Sequence, residues 1–272
     1  MKKIIVGVVV ELQAALGLED TTLLEQNFSA FETAPAAARA QISVAVKVHD
    51  DQYQVSWLEA DNDGVVTSTR AELVYNVEGF VVLGLQLARP DLLFLHGAVL
   101  RSGARGMVLT GASGNGKSTL CWALTQHDCQ YLSDELAPLK LGDSATVAAE
   151  AYSHSLNLKK SPPGSYQLPP DIPHTGWTFH IPPSQLAGGY QLSDSNVHAI
   201  FLVQYDPAGP AVDRLPTAEA VFRLYPNVLN GLAHPASGLT MVKEICRRLP
   251  VYDLKSNNLK STSELVLETL HQ

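Results

Sequence analysis

The chain has 272 residues, of which 46% are hydrophobic and 17% charged, and a formal net charge of −8. This is a globular composition, long enough to bury one large core or two unequal ones, and it leaves no stretch that reads as disordered. The acidic balance, with Lys and Arg scattered along the chain, argues against a nucleic-acid partner, because neutralising phosphates takes a clustered basic face.

Met1-Lys2-Lys3 followed by apolar Ile4 to Val10 has the outline of a secretory signal, but Glu11 ends the run and no small-residue cleavage site follows, so one buried strand is expected. Ile42, Val44, Val46 and Val48 alternate with polar residues, as do Tyr53, Val55 and Trp57 after Asp50-Asp51, which predicts a half-buried hairpin over 42–57. Asp61-Asn62-Asp63-Gly64 predicts a turn; it lacks the downstream Glu of a calcium loop. A Thr69-x-x-Glu72 capping box then opens a helix that ends before Pro90, with Leu73, Val77, Phe80, Val81, Gly84 and Ala88 on one face. Its apolar stretch, interrupted by Glu78 and Gln86, falls short of the ~18–20 residues of a membrane span, so a soluble protein with no membrane partner is expected.

Leu92 to Leu100 reads as a buried strand interrupted by His96, either a satisfied core histidine or a functional one. After a turn through residues 102–106, the apolar run Met107 to Thr110 feeds Gly111-Ala112-Ser113-Gly114-Asn115-Gly116-Lys117-Ser118-Thr119, a complete G-x-x-x-x-G-K-[ST] motif. Chance supplies this pattern in about one chain in a hundred of this length. Its setting between a strand and a helix, marked by Leu120, Ala123, Leu124 and His127, is the one its chemistry requires. Glycines let main-chain N–H groups turn inward around an anion, and the helix that follows adds positive potential at its N-terminus. In this reading Lys117 reaches the β- and γ-phosphates of a nucleoside triphosphate, Ser118 faces a magnesium ion and Thr119 lies near the α-phosphate.

Gln130 to Ser133 predicts a short strand that delivers Asp134-Glu135, and Ala137 to Leu141 another. Were the first of these beside the loop's strand in a parallel sheet, both carboxylates would emerge at the rim where the phosphates sit. One carboxylate can then help hold magnesium while the other accepts a proton from an attacking hydroxyl. Residues 161–193 are rich in Pro and Gly, predicting a lid or a structural wrap with little regular structure, to which Trp177, Phe179 and His180 add contact area. Ala199 to Tyr205 and Val251 to Leu254 read as strands. Residues 218–225, the segment from Leu239 to Leu249, and a segment capped by Ser261-x-x-Glu264 read as helices, with Arg247-Arg248 in a last helical turn. Cys121, Cys129 and Cys246 show no C-x-x-C pairing or metal-ligand spacing and fit a reducing cytoplasm.

Leu95-His96-Gly97-Ala98-Val99, Gly111 to Leu120 and Leu132-Ser133-Asp134-Glu135-Leu136, in this order, resemble the catalytic core of the HPr kinase/phosphorylase superfamily, in particular its shorter HPr-kinase-related members. The resemblance is strong over residues 90–140 and weaker through Leu156-Asn157-Leu158-Lys159 and the section from Ala199 to Leu254. It implies an α/β fold with an HPr kinase/PEP carboxykinase-type P-loop core over 91–272, preceded by a strand-rich portion over 1–90. It also implies transfer of the γ-phosphoryl group of ATP, with GTP not excluded, to a hydroxyl acceptor: serine of a peptide or small protein, or a metabolite. Asp134 would be the base, assisted by His96 and Glu135, with Ser118, Asp134 and Glu135 around Mg2+ and Lys159 contacting phosphate or acceptor. Three features depart from the bacterial HPr kinases. Glu135 stands where they have Asp, their glycine-rich signature segment is missing after the core, and the first 90 residues do not resemble their N-terminal domain. The acceptor and any homo-oligomer stay open, as does a nucleotide-dependent binding module or ATPase switch without kinase activity.

Overall fold

The computed structural model describes residues 1–58, 64–143 and 145–272 as a mixed α/β fold. The expected turn at Asp61-Asn62-Asp63 lies outside the described residues. The N-terminal apolar run is two strands rather than one, β1 (Lys2–Ile5) and β2 (Val8–Ala14), because Val6 and Gly7 take positive φ values of 48° and 69° and reverse the chain. Helix α1 (Leu18–Asn27) then crosses to β3 (Ile42–His49), which pairs parallel to β2; neither helix nor crossover was read from the sequence. β3 forms the expected hairpin with β4 (Gln52–Trp57), turning on Asp50 and Asp51 at φ 46° and 60°. β5 (Val65–Thr67) completes a sheet in the order β1-β2-β3-β4-β5.

Helix α2 (Arg70–Ala88) starts at the expected capping box, where Thr69 accepts from the Glu72 N–H and Glu72 reaches back to the Thr69 N–H. By length and composition alone it could cross a bilayer. Here it packs on the N-terminal sheet, burying Leu73, Val74, Val77, Val81 and Leu85, each such side chain contributing about 1.5–3 kcal/mol. Gly84 makes the close approach feasible, since a Cβ there would lie 2.9 Å from side-chain carbons of Ile42 and Trp57.

The expected strand over 92–100 is split at His96 into β6 (Leu93–Leu95) and β7 (Gly97–Ser102). β8 (Arg105–Thr110) leads through the glycine motif to α3 (Lys117–Thr125), and β9 (Gln130–Ser133) and β10 (Ala137–Leu141) match their expected spans. β11 (Val147–Ala149), β12 (Leu156–Leu158) and β13 (Phe179–Ile181) precede β14 (Ser195–Tyr205), and β15 (Ala211–Arg214) precedes α4 (Thr217–Leu224). The chain closes with α5 (Leu239–Arg248), β16 (Val251–Ser256) and α6 (Leu259–His271). The cap of α6 is Asn258, which accepts from the Ser261 N–H, so the helix starts earlier than the Ser261 box implied.

The large sheet runs β6-β10-β11-β14-β8-β7-β9, with β16 parallel to β14 and β15 on β16. β9 is not the neighbour of β8. β7 lies between them, antiparallel to both, so β8 and β9 still point the same way. The ribbon β7/β9 continues as β6/β10, and both of its strands are interrupted at one level, His96 on one and Asp134 to Leu136 on the other. One face of the sheet is covered by α3, α6 and the 156–186 region, the other by α4 and α5. The Pro/Gly-rich region packs as a wrap: Tyr166, Leu168, Ile172, Ile181 and Leu186 join the α3 core, and the Trp122 indole donates to Tyr166 O at 2.7 Å. Trp177 stays exposed, while His180 is buried and burial pulls its pKa down to about 4.

Candidate functional site

The glycine motif leaves the carboxyl end of β8 with Gly111 at φ 135°, Gly114 at 86° and Gly116 at 87°, values that L side chains rarely adopt. A Cβ on Gly111 would lie 2.7 Å from Val203 O of β14, whereas Gly114 and Gly116 border open space. Asn115 fixes the loop to the same strand, its Nδ2 donating to Val203 O at 3.1 Å. No side chain caps α3, so its first-turn N–H groups and partial positive charge face the loop. Lys117, buried in the first turn, donates its Nζ to Gly111 O at 2.9 Å and Ala112 O at 3.2 Å. Burial draws its pKa below the ordinary lysine value, Lys159 adds to that, and Glu135 and Asp134 oppose it. Lys159 is exposed just beyond β12. Ser118 and Thr119 follow in the same turn of α3.

Asp134 is 2% exposed, and its Oδ2 is buried with no hydrogen-bond partner. Burial, then the neighbouring Glu135, push its pKa well above the usual carboxylate range, while the Ser118 hydroxyl, the Asn157 main-chain N–H and Lys117 work the other way. Glu135 is half-exposed and shifts in the opposite direction, chiefly because His96 Nε2 bonds its Oε2 at 3.0 Å. His96 is held in turn by its own N–H to Asn227 O at 2.8 Å and by the Thr110 hydroxyl, which donates to His96 O at 2.8 Å. The histidine thus lies at a strand break beside an acid, not in the apolar core. Two adjacent carboxyls with pKa values driven apart are the arrangement that divides acid–base labour within one site.

All the motif residues, His96, Asp134 and Glu135 therefore gather at one rim of the sheet. A cleft of about 460 Å³ opens there, lined by His96, Gly111, Ala112, Ser113, Phe222 and Asn227 among others. The sequence did not point to Phe222, nor to a polar group behind the acid pair formed by Asn27, Glu78, His154 and Asn157. Its signals were slight: Glu78 follows Val77 on the apolar side of a helix, and Asn157 stands between two leucines of a short strand.

The donor set at the rim is one of hard oxygens. A buried carboxylate oxygen without a partner, a hydroxyl beside it and a second carboxylate suit magnesium, which usually takes one or two protein carboxylates and completes its shell with phosphates and water. Among the described residues no group of three or more His, Cys, Asp or Glu side chains could hold a metal by itself.

No family model matches the chain, and no curated protein matches it in sequence. Among solved structures it is similar to the HPr(Ser) kinase/phosphatase from Coxiella burnetii, at 15% identity and a TM-score of 0.37, over 65% of this chain and 87% of that one. The likeness is distant and partial, within a mixed α/β architecture.

Proposed function

We propose that this chain is an ATP-dependent phosphotransferase that moves the γ-phosphoryl group to a hydroxyl, serine of a peptide or small protein. The observation that carries the reading is Asp134: a buried carboxylate with one oxygen unpartnered, beside the hydroxyl of Ser118 in the first turn of the helix that the glycine loop opens. The resemblance of these segments to the HPr-kinase-related proteins supports it.

In this reading the N–H groups of residues 111–119 and the Lys117 ammonium bind the phosphates, and Lys117 exchanges the carbonyls of Gly111 and Ala112 for phosphate oxygens. Ser118, Asp134 and Glu135 would hold magnesium, whose charge, when bound, neutralises the β- and γ-phosphates. Asp134 takes the proton of the acceptor hydroxyl as the hydroxyl oxygen bonds to the γ-phosphorus and the bond to the β-phosphate oxygen breaks, releasing ADP. His96 steadies Glu135, and in this reading Lys159, which follows β12, would contact phosphate or acceptor.

The test is acceptor-dependent ADP formation with serine peptides. Asp134→Asn is expected to keep nucleotide affinity within several-fold while kcat falls about 10²–10⁴-fold. Lys117→Ala is expected to abolish ATP-dependent thermal stabilisation, which at 100 times Kd is worth about 2.7 kcal/mol. Normal transfer by Asp134→Asn would remove the assignment of the base. Hydrolysis that responds to a protein partner but to no acceptor would favour a nucleotide switch.

A further inference from the structure

A short segment, residues 152–157, lies between the N-terminal unit and the acid pair. The Tyr152 N–H donates to Leu132 O at 2.9 Å and the Ser153 hydroxyl to the same carbonyl at 3.0 Å, so residues 152–153 lie along the end of β9, next to Asp134. The residues that follow are gripped from the other side. The Ser155 N–H donates to the main-chain carbonyl of Asn27, the last residue of α1, at 3.0 Å. Glu78 Oε1, on α2, accepts from Asn27 Nδ2 at 2.8 Å and from Asn157 Nδ2 at 3.2 Å, and His154 Nε2 stands 4.0 Å from it. The Asn157 main-chain N–H is in turn among the groups that favour the ionised form of Asp134.

Glu78 is an unfavourable residue for packing alone. It is shielded from solvent between apolar turns of α2, and Glu135 is near enough to repel its charge, both of which raise its pKa. An apolar side chain there would pack α2 at lower cost, as replacements of buried charges in other folds show. What only a carboxylate or amide can do at this point is collect two amide donors from separate elements and orient the strand that carries one of them.

We infer that Glu78 is a positioning residue of the site: through Asn157 it sets the 154–157 segment against Asp134, so that the N-terminal unit completes the phosphotransfer centre. This inference rests on the phosphotransferase reading. It gives the first 88 residues a role at the reaction centre rather than in recognition at a distance.

The full-length chain is compared with Glu78→Gln, Glu78→Ala and Asn157→Ala by titration with a fluorescent ATP analogue, first in EDTA and then with magnesium. The kcat and KM for ADP formation are measured alongside. Because the glycine loop is untouched, affinity in EDTA stays within about twofold of wild type in all three, whereas the magnesium-dependent gain in affinity and kcat each fall about tenfold in Glu78→Ala and Asn157→Ala, the usual scale for groups that orient a ligand. Glu78→Gln keeps an oxygen for both amides and stays within about threefold of wild type. An unchanged magnesium gain in Glu78→Ala overturns the inference, as does a Glu78→Gln variant impaired as much as Glu78→Ala, which would assign the effect to charge. Should Glu78→Ala not fold, Asn157→Ala, on a partly exposed strand residue, decides by the same readings. A wild-type chain that binds no nucleotide overturns the phosphotransferase reading and this inference with it, while wild-type binding with an unaffected variant overturns this inference alone.

Discussion

Asp134 and Glu135 are chemically near-identical neighbours that their surroundings make unlike. Burial favours the protonated form of Asp134, and the His96 bond favours the ionised form of Glu135. The two have opposite consequences for stability. The folded chain binds the Asp134 proton more tightly than the unfolded chain does, so stability falls as pH rises from the ordinary Asp value of about 3.9 towards the raised folded value. Glu135 contributes stability that is present above its ordinary pKa and is lost as pH falls through the depressed one. In EDTA and without nucleotide, Asp134→Asn is therefore expected to melt higher than wild type at pH 8, by about 2–4 °C for each kcal/mol of relieved burial, and to lose less stability between pH 5 and pH 8. Thermal melts at the two pH values measure it. A wild-type advantage at pH 8 would mean that Asp134 is not a strained group in the folded chain.

The glycine loop depends on its glycines for different reasons. Gly111 combines a φ of 135° with a Cβ position 2.7 Å from Val203 O, so neither the backbone nor the neighbouring strand can yield to a side chain. Gly111→Ala is expected to destabilise the chain by about 1–3 kcal/mol in urea unfolding and to weaken ATP binding. The strand–loop–helix setting of this motif was legible in the sequence because it is local: the glycines, the lysine and the helix start lie within nine consecutive residues. The capping box of α2 and the Asp50-Asp51 turn were legible for the same reason. What was not legible depends on distant partners. The insertion of β7 between β8 and β9 is a matter of pairing order, and Glu78 finds its partners 51 and 79 residues away. The 161–193 region was legible as a lid or a wrap, but its composition did not decide between the two. Proline and glycine forbid long regular elements there, yet its intervening apolar residues still bury themselves over α3.

Across the whole molecule, the core between α2 and the N-terminal sheet also takes in Leu92, Phe94, Leu136 and Tyr152, so apolar packing runs without interruption from the first strand to the edge of the site. Arg89 reinforces that junction. It donates to Val6 O at the first turn at 2.6 Å, to both oxygens of Glu150 after β11 at 2.8 and 2.6 Å, and to Asp91. Arg89→Met is expected to cost about 1.5–3 kcal/mol, the usual range for hydrogen bonds to charged groups, while circular dichroism still records a single unfolding transition. Two separated transitions would show the N-terminal unit unfolding independently. The paired interruption of the β6/β7 and β9/β10 strands, finally, frees two consecutive acids from the alternation of a regular strand. Along an unbroken pleat, neighbouring side chains alternate between opposite sides, and one of the two carboxyls would be turned away from the glycine loop. At the corner where the ribbon leaves one part of the sheet for another that alternation lapses, and a dipeptide becomes a pincer with histidine closing it from across the gap.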